Sequence, residues 1–189
     1  MNELYPIFLK AHQLNILLVG AGNVGLEKLS FLLKSSPNAT VNIVAEAVNK
    51  EVKNLADKHQ LIIHQRSFEF EDLNAKHLVI AATNNSHLNN AIYAECRMKK
   101  LLVNVADKPD LCDFYLGGIV TKGNVKIAIS TNGKSHSTAK RLRQFFEEVL
   151  PEDINDLVLN LNAVRHQIKE SLKEKTKKIN ELTSEFLSK

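Results

Sequence analysis

A glycine-rich turn between an apolar run and a helical pattern constrains this chain more than any other stretch. The apolar residues 16–19, Ile-Leu-Leu-Val, lead into Gly20, Gly22 and Gly25, which are spaced G-x-G-x-x-G. Residues 24–33 then carry apolar side chains at the spacing of an amphipathic helix. A strand, a tight turn and a helix in this order are typical of a dinucleotide-binding unit.

Each glycine has a physical role in such a unit. Gly20 permits the sharp turn, Gly22 lets a pyrophosphate approach the backbone, and Gly25 lets helix and strand pack closely. The N–H groups that begin the helix then face the anion, which the helix dipole favours. We therefore predict a dinucleotide site here; the alternative is a glycine turn that only closes a βα unit.

Strands and helices alternate along the chain to about residue 105. Residues 40–45, 61–64, 78–82 and 101–105 are typical of strands, and helical patterns lie between them. This alternation predicts an α/β fold with a doubly wound, Rossmann-type parallel sheet. We also expect residues 5–9, Tyr-Pro-Ile-Phe-Leu, to pack on that sheet.

Two polar positions follow strands at the edge where such sheets bind ligands. Glu46 lies about 20 residues after the last glycine, where an acidic side chain bonds the ribose 2′-OH of NAD. It would repel the 2′-phosphate of NADP, so NAD is the expected cofactor; the alternative is that Glu46 only opens the next helix. The run Thr83-Asn84-Asn85-Ser86 offers hydroxyl and amide groups, although Asn85 or Ser86 equally fits a helix N-cap.

The second half of the chain follows a different pattern. Two β-type runs at residues 114–120 and 125–130 are joined by a polar turn containing Gly123, which predicts a hairpin instead of another crossover. An amphipathic helix then precedes Pro151, and a further helical pattern continues beyond it to Phe186. Its apolar stripe needs a partner, which is either the rest of the chain or another subunit.

Composition and charge exclude several classes of protein. The 189 residues contain no run near the roughly 18 apolar residues that span a bilayer, and no signal-peptide pattern opens the chain. Cys96 and Cys112 form no C-x-x-C, so we expect a cytoplasmic protein without disulfides. The net charge of +4 suits an acidic small molecule but is too diffuse to indicate nucleic acid. The spacing of His, Cys and acidic residues indicates no structural metal site.

A family resemblance becomes specific in the second half of the chain. Residues 104–114, Asn-Val-Ala-Asp-Lys-Pro-Asp-Leu-Cys-Asp-Phe, and 128–133, Ala-Ile-Ser-Thr-Asn-Gly, resemble the precorrin-2 dehydrogenase family. This family includes the N-terminal module of bacterial siroheme synthase and the yeast-type bifunctional dehydrogenase/ferrochelatase. The match runs from about residue 5 to residue 151. It also includes Tyr5-Pro-Ile-Phe-Leu9, Lys28, Phe68-x-x-x-Asp72-Leu73 and Ala81-Ala-Thr-Asn84.

The resemblance implies an NAD-dependent enzyme that oxidises precorrin-2 to sirohydrochlorin in siroheme biosynthesis. Some members of the family then insert Fe²⁺, and the residues do not separate the two kinds. The resemblance also implies a homodimer with three parts. These are an NAD-binding Rossmann domain at residues 1–112, a dimerisation segment at 113–150 and a helical C-terminal domain at 151–189.

The resemblance assigns site residues by position. It places Gly20, Gly22, Asn23, Val24 and Gly25 at the pyrophosphate side of NAD. It places Glu46 and Ala47 at the adenosine ribose, and Thr83 near the nicotinamide end. Asp107 matches the catalytic aspartate, whereas Asp110 and Asp113 do not. A carboxylate there can accept the proton that precorrin-2 loses as its hydride passes to NAD⁺. The alternative is that Asp107 only caps the turn before Pro109.

The substrate's many carboxylates imply a basic rim. The candidates are Lys108, Lys134, Ser135, His136, Lys140 and Arg141. The alternative is a basic helix start on the surface, and we expect His136 to be solvated instead of ligating a metal. The family's Gly-Gly-x-Ser-Pro is replaced here by Asn-Gly-Lys-Ser-His at 132–136, so the loop departs from the family pattern.

A non-enzymatic function is the other hypothesis. A Rossmann module that senses NAD and dimerises through a helical tail would account for the glycine turn and Glu46. It would leave the Asp107 turn and the hairpin unexplained.

Overall fold

The computed structural model describes residues 2–168 and 171–184. The chain forms two compact units. The first, here called the sheet unit, runs to Gly118 and also includes Ser130–His136. The second, the hairpin–helix unit, comprises Ile119–Ile129 and the chain from Ser137 onward.

The sheet unit is built on five parallel strands in the order β3-β2-β1-β4-β5. The strands are β1 (Asn15–Ala21), β2 (Thr40–Val48), β3 (Ile62–His64), β4 (Leu78–Ala81) and β5 (Leu102–Val105). The helices are α1 (Asn23–Ser35), α2 (Lys50–His59) and α3 (Ser86–Lys99). The predicted Rossmann-type sheet is therefore confirmed. Its centre is β1, the strand that leads into the glycine turn.

Helices cover both faces of the sheet, and each face has its own core. On one face, Leu29 and Leu33 of α1 and Val52 of α2 pack with strand residues such as Leu18 and Ile43. On the other face, apolar residues of α3 pack on alternate positions of the same strands. They include Ile92 and Cys96, with Leu17, Val79 and Val103 from the sheet. The helices that follow β1 and β4 lie on opposite faces, which makes the β1–β4 boundary the switch point of the fold.

Local chemistry fixes where α2 and α3 begin and end. Asn49 caps α2 by accepting the Glu51 N–H, and Asn85 caps α3 by accepting the N–H groups of His87 and Leu88. Asn85 is therefore an N-cap, one of the two roles that its sequence allowed. Both helices end on a left-handed residue, which breaks the helical path.

The N-terminal segment does not pack on the sheet, and that expectation was wrong. Residues 2–10 are exposed, with Tyr5 at 86% and Phe8 at 69%. Burial begins at Ala11. The reason is that helices already occupy both apolar faces of the sheet, so the unit offers this segment no face to cover.

The hairpin–helix unit contains the predicted hairpin. Strands β6 (Gly118–Lys122) and β7 (Val125–Ile129) pair through a two-residue turn, in which Gly123 has a φ of +56°. Asn155 holds this turn by accepting the Asn124 N–H at 2.9 Å, and a Cβ on Gly123 would collide with the Asn155 side chain. Glycine is thus required both by the backbone angle and by close packing.

The C-terminal helical pattern is interrupted. Helices α4 (His136–Val149), α5 (Ile154–Gln167) and α6 (Leu172–Thr183) are separate. Ser171 and Glu174 form a reciprocal capping box that begins α6. Phe186, the last residue of the expected stripe, lies outside the described residues. None of the described helices has the length and apolar character needed to span a bilayer.

Candidate functional site

Three strand ends lie level at one edge of the sheet. Val19 of β1 pairs with Ala81 of β4, and Ala81 pairs with Val105 of β5. The backbone hydrogen bonds between these strands extend one residue beyond the ends of β4 and β5. The Ala82 N–H donates to Val19 O at 2.8 Å, and the Ala106 N–H donates to Ala81 O at 2.9 Å. Neighbouring strands lie about 4.8 Å apart. The glycine turn after β1 and the Asp107 turn after β5 therefore lie roughly two strand spacings, about 10 Å, apart.

The three glycines have the geometry that a dinucleotide turn needs. Gly20 has a φ of +98°, and a Cβ there would lie 2.5 Å from Ala82 O. A Cβ on Gly25 would collide with the carbonyl oxygen of Gly20, so α1 packs directly against the turn. Apart from Gly22 itself and its two chain neighbours, no described residue has an atom within 4 Å of a Cβ built on Gly22. Two glycines thus serve close packing, and the third faces open space that a pyrophosphate could enter.

The first turn of α1 offers backbone donors beside that space. Gly22 is the N-cap, and its carbonyl accepts the first intrahelical bond, from the Leu26 N–H at 2.9 Å. The N–H groups of Asn23 and Val24 lie ahead of that bond, where a helix has no carbonyl of its own to offer them. The Asn23 side chain instead accepts a hydrogen bond from Asn49 Nδ2 at 3.2 Å. These residues therefore fit a diphosphate through their backbone.

Glu46 and Ala47 are exposed on a bulge near the end of β2. The β1–β2 register shifts between Val19, which pairs with Val44, and Ala21, which pairs with Val48. Glu46 stands outside α2, whose N-cap is Asn49, so the idea that it opens this helix was wrong.

A hydroxyl from a distant loop holds the Glu46 carboxylate. Ser67 Oγ donates to Glu46 Oε1 at 2.7 Å. Arg66 anchors this loop, because it donates to Ser67 O and forms two hydrogen bonds with the Asp72 carboxylate. The guanidinium of Arg66 lowers the pKa of Asp72. No sequence pattern indicated that Ser67 belongs to the site, because it lies in an irregular segment.

Thr83 lies just beyond β4, tied to a buried asparagine. Its hydroxyl lies 2.6 Å from Asn89 Oδ1, and Asn89 Nδ2 donates to Thr83 O at 3.0 Å. Asn89 is only 5% exposed. The signal for it was present in the sequence, since Asn89 shares a helical stripe with the buried residues Ile92 and Cys96. Asn89 fixes the segment that leaves β4 toward the glycine turn.

Asp107 is presented to solvent on a tight turn. It has a φ of +60°, and the turn is closed by the Lys108 N–H donating to Val105 O at 3.2 Å. Its carboxylate is exposed and accepts no hydrogen bond from a described residue. The short helix that starts at Pro109 has Lys108 as its N-cap, without a side-chain cap. The alternative that Asp107 only caps this turn was therefore wrong.

The other two acidic residues of this stretch differ from Asp107. Asp113 has structural partners, since it accepts the Val103 N–H at 3.0 Å and a bond from Arg97 at 2.8 Å. Asp110 is exposed within the short helix that follows the turn. Asp107 is the acidic residue in this stretch that sits at the sheet edge itself.

The predicted basic rim divides between the two units. Lys108 lies next to Asp107 and donates to Asn90 of α3 at 3.2 Å. Lys134 and Ser135 lie in a loop of the sheet unit, which Thr131 closes by bonding both backbone groups of Ser135, and His136 is the first residue of α4. Lys140 and Arg141 are exposed on α4 in the hairpin–helix unit. Within the part of the chain that the structure describes, no three His, Cys, Asp or Glu residues are grouped to hold a metal.

Comparisons with known proteins bear on this arrangement. A family described as putative NAD(P)-binding matches residues 7–118. Siroheme synthase of Pseudoalteromonas atlantica is 37% identical over 176 residues, which is 93% of this chain and 38% of the relative. Siroheme synthase of Methylococcus capsulatus is 34% identical over 169 residues, which is 89% of this chain and 35% of the relative. The chain thus spans little more than a third of the length of these curated relatives.

A solved structure shares the fold. The protein titled SirC, precorrin-2 dehydrogenase, superposes with a TM-score of 0.73 over 95% of this chain and 89% of that chain. The two sequences are 23% identical, so this likeness concerns the architecture.

Proposed function

The chain belongs to the family of putative NAD(P)-binding proteins whose match covers residues 7–118, and from this premise we propose that it is an NAD-dependent precorrin-2 dehydrogenase. The product would be sirohydrochlorin, on the route to siroheme. One observation carries the proposal: the level strand ends bring an open glycine turn and an exposed carboxylate to one sheet edge. That edge is where open parallel sheets bind ligands.

Cofactor choice depends on Glu46. A carboxylate at the end of β2 accepts hydrogen bonds from the 2′-OH of an adenosine ribose and repels a 2′-phosphate. Ser67 engages one carboxylate oxygen and orients the group. With Ala47 exposed beside it, this edge fits NAD better than NADP.

The chemistry needs one hydride and one proton to leave precorrin-2. Bound NAD⁺ supplies the hydride acceptor. Asp107 takes the proton, because its carboxylate is exposed at the edge that also carries the glycine turn. Thr83, between these two turns, would contact the nicotinamide end. Holding substrate and cofactor close together in the correct orientation supplies much of the remaining rate enhancement.

Relatives and sequence motifs support the choice of substrate. The curated relatives above are named siroheme synthase, and the structural neighbour is titled precorrin-2 dehydrogenase. Residues 104–114, which include Asp107, carry the most specific part of the family resemblance. The substrate's carboxylates would meet the part of the basic rim that the sheet unit carries, which comprises Lys108, Lys134, Ser135 and His136.

We further propose that the protein acts as a homodimer through its second half. Leu142, Phe145 and Val149 are 40%, 54% and 57% exposed, and their spacing places them on one face of α4. Residues 113–150 would form the dimerisation segment between the cofactor domain at 1–112 and the helical domain at 151–189. Sedimentation equilibrium on the purified chain tests this, and a monomer at micromolar concentration would contradict it.

Iron insertion is a second reaction that the exposed Asp107 could serve. Its carboxylate could take pyrrole protons from sirohydrochlorin, with Fe²⁺ as a substrate of that reaction. Adding Fe²⁺ or Co²⁺ to sirohydrochlorin with and without the protein tests this activity.

We expect the cytoplasm as the compartment of the protein, because Cys96 and Cys112 are free thiols.

Turnover decides between the enzyme and an NAD-sensing module. The purified protein is mixed with NAD⁺ and precorrin-2, and the absorbance of sirohydrochlorin and NADH is followed together. Equal amounts of both products, above a protein-free control, support the dehydrogenase. NAD⁺ binding without either product would instead favour the sensing module, which needs the glycine turn and Glu46 but gives Asp107 no role.

A further inference from the structure

Residues 104–114 form a closed loop that starts and ends on β5. Asn104 and Cys112 face each other in an antiparallel bridge. The Asp113 N–H donates to Val103 O at 2.8 Å, and Asn104 Nδ2 donates to Phe114 O at 2.7 Å. Asn104 is only 5% exposed, so its amide is a buried polar group that is satisfied by the returning chain. Hydrogen bonds therefore hold the two ends of the loop together, and Asp107 lies in the part of the loop between them.

The thiol of Cys112 reaches from the end of the loop to the turn that carries Asp107. Sγ lies 3.2 Å from Val105 O and 3.2 Å from Lys108 O, the carbonyl groups at the two ends of that turn. Asn104 Nδ2 lies 3.4 Å from the same sulfur and donates to it. The single S–H proton is thus shared between two carbonyls, while the buried amide fixes the sulfur from the other side.

The Asp107 turn needs such support because its backbone is unusual. A φ of +60° places an L-residue in the left-handed region, which few residues other than glycine adopt. Asp107 is exposed, so its own side chain does not hold the backbone there. Burial raises the pKa of the Cys112 thiol, which keeps the thiol protonated and able to donate at neutral pH.

We propose that Asn104 and Cys112 act as a positioning pair that holds the Asp107 carboxylate in place for proton removal. Asn104 fixes the sulfur, and the thiol fixes both ends of the turn. Neither residue touches the substrate. The inference rests on the proposed function for the role of Asp107, but the geometry of the turn can be measured without it.

Cys112→Ala tests the pair, with Cys112→Ser and Cys96→Ala as matched variants. Cys112→Ala removes the donor from both carbonyls, whereas Cys112→Ser restores a hydroxyl donor. Cys96 is fully buried between α3 and the sheet, so Cys96→Ala removes a buried sulfur while leaving the bonds of Cys112 to Val105 O and Lys108 O in place. We expect kcat to fall about tenfold in Cys112→Ala with KM for NAD⁺ unchanged, since small misplacements of reacting groups have effects of this order or larger. Cys112→Ser should recover most of that loss, and Cys96→Ala should retain the parent kcat.

Hydrogen exchange of the backbone N–H groups in residues 106–112 gives a readout that does not need turnover. These groups should exchange faster in Cys112→Ala than in the parent, and Cys96→Ala should leave them unchanged. If exchange and kcat in Cys112→Ala match those in Cys96→Ala, the positioning pair is overturned while the dehydrogenase stands. If the parent shows no turnover but the exchange difference appears, the proposed function fails and the support of the turn stands. Unchanged exchange in Cys112→Ala overturns the inference in either case.

Discussion

Ser67 and Glu46 are 21 residues apart in sequence, yet the Ser67 hydroxyl donates a 2.7 Å hydrogen bond to Glu46 Oε1. The bond links the loop after β3 to the bulge of β2, at the edge where the adenosine ribose of NAD would lie. Glu46 is therefore an oriented carboxylate instead of a freely rotating one, which matters because orientation determines how well it accepts a ribose hydroxyl.

Replacing Glu46 should change the cofactor preference. Glu46→Gln keeps the shape but removes the charge, so NAD⁺ binding should weaken by about one to two orders of magnitude, in line with the roughly 1.5–3 kcal/mol of a hydrogen bond to a charged group. NADP⁺ binding should strengthen, because the repulsion of its 2′-phosphate disappears. Isothermal titration with both nucleotides measures the two changes. Ser67→Ala should weaken NAD⁺ binding less, and equal affinities for parent and Glu46→Gln would contradict the ribose role.

Gly22 and Gly25 should respond to substitution in opposite ways. Gly22→Val adds a side chain in open space, so folding should be preserved while approach of the pyrophosphate is blocked. Gly25→Ala drives a Cβ into the Gly20 carbonyl, and overpacking of this kind costs about 1–3 kcal/mol of stability.

Thermal unfolding and NAD⁺ titration on these two variants form one experiment. Gly22→Val should keep the parent Tm and lose at least about tenfold in affinity, since steric exclusion of a well-placed phosphate removes several contacts. Gly25→Ala should lower Tm. A Gly22→Val protein that binds NAD⁺ as tightly as the parent would remove the glycine turn from the cofactor site.

Local patterns predicted the parts of the fold that depend on neighbouring residues. The run from residue 16 to Gly25 specified a strand, a turn and a helix, because apolar periodicity and glycine spacing act within a few residues. The hairpin around Gly123 was predicted for the same reason. The break before α6 was missed, although Ser171 and Glu174 at the S-x-x-E spacing are a visible start signal.

Contacts between distant segments were not predictable from one sequence. The bond from Ser67 to Glu46 depends on how the two segments pack, which periodicity does not encode. Tyr5 shows the opposite error, because it was expected to pack on the sheet and is exposed. An apolar side chain indicates that burial is favourable but does not indicate which surface buries it. The family resemblance indicated Asp107, while its left-handed backbone came only from the structure.

The Arg66–Asp72 pair predicts how the loop that holds Ser67 responds to acid. Hydrogen bonding from Arg66 lowers the pKa of Asp72 in the folded protein. The pair's contribution to stability is therefore full above the carboxyl's ordinary pKa of about 3.9, and is lost as pH falls through the lowered folded value. Urea midpoints at pH 6 should be lower for Asp72→Asn than for the parent, and the two should converge as pH falls through the lowered folded-state pKa of Asp72. A constant difference across this range would contradict the assignment.

Asp107→Asn is the sharpest test of the proposed chemistry. Asparagine tolerates the left-handed backbone as well as aspartate does, so the turn should keep its shape while the carboxylate's basicity is lost. Because general bases contribute about 10²–10⁴-fold to rate, sirohydrochlorin formation should fall by at least about 100-fold with NAD⁺ affinity unchanged. Asp110→Asn removes another exposed charge three residues away and should turn over like the parent, which separates proton transfer from general electrostatics at this edge. If Asp107→Asn retains full activity while its turn is intact, the proton must leave to another group.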